Sequence, residues 1–283
     1  MSTKGRRTII IAENIGFCTG IEKAVDEVEK LLQSNDSVYS VDAILHNEQE
    51  MKRLESMGLK LYEEGSVGNV LVLPAHGATS EEVKNLKKDF KIVVDVTCPF
   101  VLRSTNIVRK VKEEGYKIVI VGEHNHRETK VLRETAGDAL LYVIASAIEL
   151  KEIEGYFGKV AILSQSTISK DLLLQVAEFF LRHTFELRFF DTVCPETVKR
   201  QEEAKKLASI VDCVIVVGGK HSANTKRLLE VVSSINKNSY FVEDANDLKN
   251  IDISNFSSIA IVSGTSTPKY IIEKVVSVVE ATA

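Results

Sequence analysis

The sequence has no tryptophan, four prolines and four cysteines. The cysteines, at positions 18, 98, 194 and 213, lie far apart, and no Cys-x-x-Cys pair exists. This spacing excludes a zinc finger or a ferredoxin-like local cluster loop, and without a signal peptide it argues against a disulfide framework. Long apolar runs are missing too. The run Ile9-Ile10-Ile11-Ala12 behind the basic Lys4-Gly5-Arg6-Arg7 cluster stops at Glu13, too short for a secretory core, and nothing approaches a membrane span. A cytoplasmic location is the expectation. Beyond that cluster Lys and Arg adjoin only in pairs, and the net charge is -4, which argues against nucleic acid and anionic membrane as partners. Neither a Walker A pattern nor Gly-x-Gly-x-x-Gly occurs, so a nucleotide cofactor has no support.

What is present repeats. Three segments combine a β-branched run, a short loop with a cysteine and an amphipathic helix: TIIIAENIGFCTGIEKAVDEVEKLL, KIVVDVTCPFVLRSTNIVRKVKEEG and FELRFFDTVCPETVKRQEEAKKLAS. Pro99 and Pro195 directly follow cysteines, as suits a first helical position whose N–H would be unsatisfied anyway. Other segments read as strand, Gly/His turn, helix (KIVIVGEHNHRETKVL, DCVIVVGGKHSANTKRLLEVV) or as strand, hydroxyl-rich turn, helix (SSIAIVSGTSTPKYIIEKVVSVV). Short apolar runs alternating with helical patterns predict βα units and parallel sheets buried on both faces. The expected fold is α/β, with three similar subdomains in a pseudo-threefold arrangement around a shared centre. Their boundaries are 16–97 with Cys18, 98–190 with Cys98, and 191–283 with Cys194, the last completed by an N-terminal strand at 8–13.

Each turn carries residues with a functional and an ordinary reading. A single cysteine at a helix start is more often an inert core residue. Three in matching turns favour shared ligation by Cys18, Cys98 and Cys194, whereas Cys213, inside VDCVIVV, reads as core. Three thiolates suit iron–sulfur better than zinc, and a three-thiolate zinc site with a water is the rival. Five of six histidines (46, 76, 124, 126 and 221) fall at or just after expected strand ends, which points to an anion or metal site, while His183 at a helix end reads as structural. Ser164 to Thr167, Ser222 to Asn224 and Ser263 to Thr267 offer hydroxyl, amide and helix N-terminal donors for a phosphate, although each taken alone is an ordinary cap. Glu128, two residues after His126, is a candidate proton donor if burial keeps it protonated.

These residues, taken in order, resemble one family over essentially the whole chain: the LytB (IspH) family of 4-hydroxy-3-methylbut-2-enyl diphosphate reductases. The likeness rests on GFCTG, ILHN, PAHG, DVTCP, GEHNHRE, SQST, GKHSANTKRL and SGTSTP. It implies a [4Fe–4S] cluster on Cys18, Cys98 and Cys194 with one iron open to the substrate hydroxyl. It implies a diphosphate held by His46, His76, His126, Ser222, Asn224 and Ser266, with Thr167 beside it, and a proton from Glu128 relayed near Ser166. The implied reaction is reductive dehydroxylation to isopentenyl and dimethylallyl diphosphates, fed by a reduced carrier such as ferredoxin or flavodoxin. The histidines are expected to grip the diphosphate best when charged. Arg127 and Ala223 stand where the family usually has proline and a hydroxyl residue. A zinc-dependent hydrolase of a small phosphorylated substrate and a non-enzymatic iron–sulfur sensor are the other classes open to the sequence.

Overall fold

The computed structural model describes residues 7–282. Its strands are β1 (Thr8–Ile11), β2 (Val38–Ser40), β3 (Leu59–Leu61), β4 (Gly68–Leu73), β5 (Phe90–Asp95), β6 (Lys117–Val121), β7 (Leu140–Ile144), β8 (Phe157–Ser164), β9 (Thr184–Phe189), β10 (Cys213–Val217), β11 (Ser239–Val242) and β12 (Ser258–Ser263). The helices are α1 (Thr19–Ser34), α2 (Glu48–Ser56), α3 (Ser80–Leu86), α4 (Pro99–Glu113), α5 (Arg127–Ala136), α6 (Lys170–Arg182), α7 (Pro195–Ala208), α8 (Ala223–Ser233) and α9 (Lys269–Ala281). Among the described residues the strands form three four-stranded parallel sheets, ordered β3-β2-β4-β5, β7-β6-β8-β9 and β11-β10-β12-β1.

All three sheets follow one plan. The first strand of each lies inside the sheet, the second pairs on one side of it, and the third and fourth follow on the other. In the last sheet the fourth place is taken by β1 from the start of the chain, in register from Thr8 opposite Ser258 to Ile11 opposite Ile261. In such sheets the chain switches direction between first and third strands, and ligands gather outside the carboxyl ends there. The loops after β2, β4, β6, β8, β10 and β12 are therefore the ones to inspect.

The apolar runs of the inner strands are buried on both faces. In the last sheet Cys213, Ile215 and Val217 pack with Ile259 and Ile261 against Ile271, Val275 and Val279 of α9. The intervening Val214 and Val216 pack with Ala260 and Val262 against α7 and α8. In the sheet of β6 to β9, Ile118, Ile120, Ala161 and Leu163 pack on Val108 and Val111 of α4 and Leu132 and Ala136 of α5. Each such fully buried side chain contributes about 1.5–3 kcal/mol, and strand continuity without polar alternation follows from the helices on both faces.

The chain divides into two compact units. One contains the N-terminal segment through Glu22, Leu45–Arg53 and the chain from Pro195 onward, and holds the β11-β10-β12-β1 sheet. The other contains Lys23–Ile44 and Leu54–Cys194 and holds the other two sheets. No helix among the described residues is long and apolar enough to cross a membrane.

Candidate functional site

Cys18, Cys98 and Cys194 are half-buried, and none is in a disulfide. Each follows the fourth strand of a sheet and precedes a helix: Cys18 lies between β1 and α1, Cys98 between β5 and α4, Cys194 between β9 and α7. Each is anchored in the same way. The Cys98 N–H donates to the Ala75 carbonyl at 2.9 Å, that of Cys194 to Ser166 at 2.8 Å, and that of Cys18 to Thr265 at 3.0 Å. In all three sheets the acceptor lies two residues beyond the third strand (β4, β8 or β12). Cys213 is the opposite case. It is fully buried at the start of β10, and that burial pushes its thiol up to about 12.

Glu128, at the start of α5, is 1% exposed. Its carboxylate accepts two hydrogen bonds from one residue, the Ser166 N–H at 2.9 Å and the Ser166 hydroxyl at 2.7 Å. Desolvation lifts this carboxyl from 4.5 to about 7, against the opposing pull of the two Ser166 bonds. Ser166 is also the residue whose carbonyl holds the Cys194 N–H. The buried Gln165 next to it fixes the turn: its Oε1 accepts from the Glu123 N–H at 2.9 Å and from the Thr129 hydroxyl at 3.2 Å, and its Nε2 donates to the Thr167 hydroxyl at 2.6 Å. His126 caps α5, its Nδ1 accepting from the Glu128 N–H at 3.2 Å. This contact leaves Nε2 as the ring nitrogen that a ligand could meet.

A second polar group forms in the other unit. Ser222, Asn224 and Ser266 are each at most 4% exposed. Ser222 caps α8 through the Thr225 N–H. Among the described residues the Ser266 hydroxyl makes only long contacts, 3.4 Å to the His46 carbonyl and 3.5 Å to the Ser222 hydroxyl. Neither Oδ1 nor Nδ2 of Asn224 has a hydrogen-bond partner among the described residues. A buried amide with both ends unmatched costs about 1–3 kcal/mol per group unless something else binds it. His46 is brought in by main-chain contact: a Cβ on Gly219 would stand 2.4 Å from the His46 carbonyl oxygen. The sequence reading put His46 after a strand end at Leu45. In fact β2 stops at Ser40, and Ile44-Leu45 is a buried loop that leads to α2.

Arg200 on α7 was missed in the sequence. It is 4% exposed and donates to the carbonyls of Gly16 at 2.8 Å, Ser263 at 3.1 Å and Gly264 at 3.3 Å. It thereby ties the glycine two residues before Cys18, at φ +86°, to the turn that carries Ser266. A signal existed: Thr197, Arg200, Ala204 and Ala208 share the buried stripe of α7, and an arginine on such a stripe needs partners. Asp42 was missed as well. Its carboxylate lies 3.8 Å from His76 Nε2 and 3.9 Å from Arg127 Nε, and contact with His76 holds it down at about 2. Arg127 also donates to Glu82 at 2.6 Å and to the Gly77 carbonyl at 3.4 Å, so an arginine in this place fastens α5 to the His76 turn.

Not all the histidines converge. His124 has a half-exposed side chain and pairs with Glu149 at 3.0 Å, and the His221 side chain is 76% exposed. Both side chains are thus far more exposed than that of His76, which is 9% exposed. His183 caps α6 and stacks on Phe179, a structural role. Among the described residues no group of three or more His, Cys, Asp or Glu side chains is placed to hold a single metal ion.

Residues 9–280 match the profile of the family described as "LytB protein". A 4-hydroxy-3-methylbut-2-enyl diphosphate reductase of Campylobacter hominis is 37% identical over 272 residues, covering 95% of this chain and 97% of the relative. That of Geotalea daltonii is 35% identical over 277 residues, covering 97% and 98%. A solved (E)-4-hydroxy-3-methyl-but-2-enyl diphosphate reductase, described as the terminal enzyme of the non-mevalonate pathway, is 32% identical with a TM-score of 0.69, covering 97% of this chain and 99% of that one. The E-1-hydroxy-2-methyl-but-2-enyl-4-diphosphate reductase of Plasmodium falciparum shares the fold at TM-score 0.88 and 24% identity, covering 96% and 88%.

Proposed function

Because the chain belongs to the LytB family, we propose that it reductively dehydroxylates (E)-4-hydroxy-3-methylbut-2-enyl diphosphate to isopentenyl and dimethylallyl diphosphates, the last step of the non-mevalonate pathway. The C–OH bond breaks, a C–H bond forms and water leaves, consuming two electrons and two protons. We assign Cys18, Cys98 and Cys194 as ligands of one [4Fe–4S] cluster, one from each of the repeats 16–97, 98–190 and 191–283. The donor set fits: three thiols in equivalent turns, each held by an equivalent carbonyl, with Cys213 set apart by burial. When bound, such a cluster supplies electrons and an open iron that acts as a Lewis acid on the substrate oxygen. Thiolates on different irons of a cubane need not converge on one point, whereas a zinc hydrolase needs three ligands around one ion, and no observation favours that reading.

The chain's own residues supply binding and protons. His46, His76, His126, Thr167, Ser222, Asn224 and Ser266 form the diphosphate site in this reading. The unmatched Asn224 amide and the His126 Nε2 are suited to phosphate oxygens, and Asp42 orients His76. Glu128 is the general acid. Its proton passes to the departing hydroxyl through Ser166, whose hydroxyl it contacts at 2.7 Å.

The observation that carries the reading is the chain Glu128–Ser166–Cys194: a buried acid held at about 7 shares its partner with a proposed cluster ligand. The test is anaerobic purification, iron and sulfide analysis, and turnover of the allylic diphosphate with reduced methyl viologen. About four irons and four sulfides per chain with turnover are expected for a single cubane. Stoichiometric zinc without sulfide would return the hydrolase, and a full cluster without turnover the sensor.

A further inference from the structure

The reaction needs electrons from outside, so some face of the protein must receive a donor. The charge distribution marks one. Residues 84–112 carry eight Lys/Arg against two Asp/Glu, in a chain whose net charge is -4. Cys98 lies near the middle of this segment. Lys84, Lys87, Lys88, Lys91, Arg103 and Arg109 are all exposed, and among the described residues none of the six has a carboxylate in ion-pair reach, whereas Lys112 is paired with Asp138. The acidic residues that flank the segment are partly spent within the fold, Glu82 on Arg127 and Glu114 on Arg188.

Three of these charges, Lys84, Lys87 and Arg109, line a depression. A cleft of about 400 Å³ is lined by Lys84 and Lys87 from the α3 side, by Thr97 next to Cys98, and by Leu102 and Arg109 of α4. Asp95 also lines it, but its carboxylate is engaged by the Thr97 N–H at 2.9 Å. Leu102, which lines the cleft, is 39% exposed, and its neighbours on the same segment include Phe100 at 37% and Ile92 at 52%. Phe100 and Leu102 lie within one helical turn of Cys98. An apolar centre with a rim of one charge is the makeup of a transient protein-docking surface.

We propose that this face, from α3 across the Cys98 turn to the first turns of α4, docks a small acidic one-electron carrier protein, and that electrons enter beside Cys98. The inference rests on the reductase reading above. Each encounter oxidises the carrier by one electron, and two encounters with two protons balance the conversion of C–OH to C–H and water.

The test compares the anaerobically purified holoprotein with the triple variant Lys84→Glu, Lys87→Glu, Arg109→Glu, none of which belongs to the catalytic or binding machinery. Flavodoxin is the acidic probe. Its dissociation constant is measured by calorimetry, and its KM as hydroquinone is set against the kcat with methyl viologen. Reversal of three charges is expected to weaken both flavodoxin constants by at least about tenfold and to flatten their salt dependence. Methyl viologen turnover and iron content should stay unchanged. Unaltered flavodoxin affinity in the variant overturns the proposal, as does an equal loss with methyl viologen. Equally tight, charge-dependent retention on phosphatidylglycerol vesicles overturns it too, since the face would then be a general polyanion surface. If the holoprotein fails to reduce the allylic diphosphate even with methyl viologen, the reductase reading falls, while the flavodoxin dissociation constant still decides the docking face.

Discussion

Burial holds the Glu128 carboxyl at about 7, and Ser166 hydrogen-bonds both of its oxygens. Between pH 4.5 and about 7 the folded chain therefore keeps a proton that the unfolded chain has lost. Stability falls as pH rises through this window, by about 1.4 kcal/mol per unit and roughly 3 kcal/mol in all. Glu128→Gln removes that fall, so the variant should be more stable than the parent at pH 8 and show a flatter stability profile from pH 5 to 8 in urea unfolding. Its turnover should drop by about 100- to 10,000-fold with the cluster intact, and parental turnover should decline above about pH 7 as the acid form is lost. A glutamate that served only the α5 dipole would leave turnover nearly untouched and cost at most about 1 kcal/mol. The cysteines separate on the same principle. Cys18→Ser, Cys98→Ser and Cys194→Ser are each expected to bleach the cluster absorbance. Cys213→Ser should keep it while losing about 1–3 kcal/mol of stability, because a hydroxyl is then buried in an apolar strand. Cluster loss in Cys213→Ser alone would sink the ligand assignment.

Elements place the site through close main-chain approach. The β10–α8 turn runs so near His46 that a methyl group on Gly219 would meet a carbonyl oxygen at 2.4 Å. Main chain cannot swing aside as a long side chain can, so Gly219→Ala must displace either the α8 turn or His46. The expected cost is about 1–3 kcal/mol of stability, with a raised KM and a smaller change in kcat. Gly158 in β8 is the control: nothing lies within 4 Å of its would-be Cβ, and Gly158→Ala should stay within about 0.5 kcal/mol. Equal behaviour of the two variants in thermal unfolding would show that the approach is not binding His46 in place. Helix α7 works differently. Arg200 uses one side chain to hold the Gly16 carbonyl and the Ser263–Gly264 turn, which ties the chain before Cys18 to the turn before Ser266.

At the scale of the whole molecule the same sheet plan occurs three times, and each copy ends in a cysteine turn. In the proposed holoprotein a single cluster engages all three turns, and a ligand bound only by the folded state stabilises it by mass action. Oxidative destruction of the cluster, followed by removal of iron with a chelator, should lower the melting temperature by several degrees. Each Cys→Ser variant of Cys18, Cys98 or Cys194 should melt with the stripped protein, not with the loaded one. Identical melting of stripped and loaded protein would mean that the three turns do not share a structural ligand.

The sequence by itself determined the fold class, because unbroken apolar strand runs alternating with helical patterns admit little but parallel sheets covered on both faces. It also marked the strand-to-helix turns that bear Cys18, Cys98 and Cys194, since an apolar run, a short loop with a cysteine and a helical pattern recur three times, twice with Cys-Pro at the helix start, and it set Cys213 apart by its place inside a strand. Three sheets are thus legible, and so is β1 as a strand for the last of them. What only the tertiary structure decided depends on residues distant in the chain. His124 and His126 are two positions apart in similar local sequence, yet one is half exposed on Glu149 and the other caps α5 next to Glu128. The end of β2 at Ser40 follows from the pairing of β2 with β3 and β4, which no local pattern encodes. Arg200 lies 184 residues from Gly16 and Glu128 lies 38 from Ser166. A hydrogen bond depends on where two segments meet, and a carboxyl's desolvation on everything packed around it. Neither can be read from spacing along the chain.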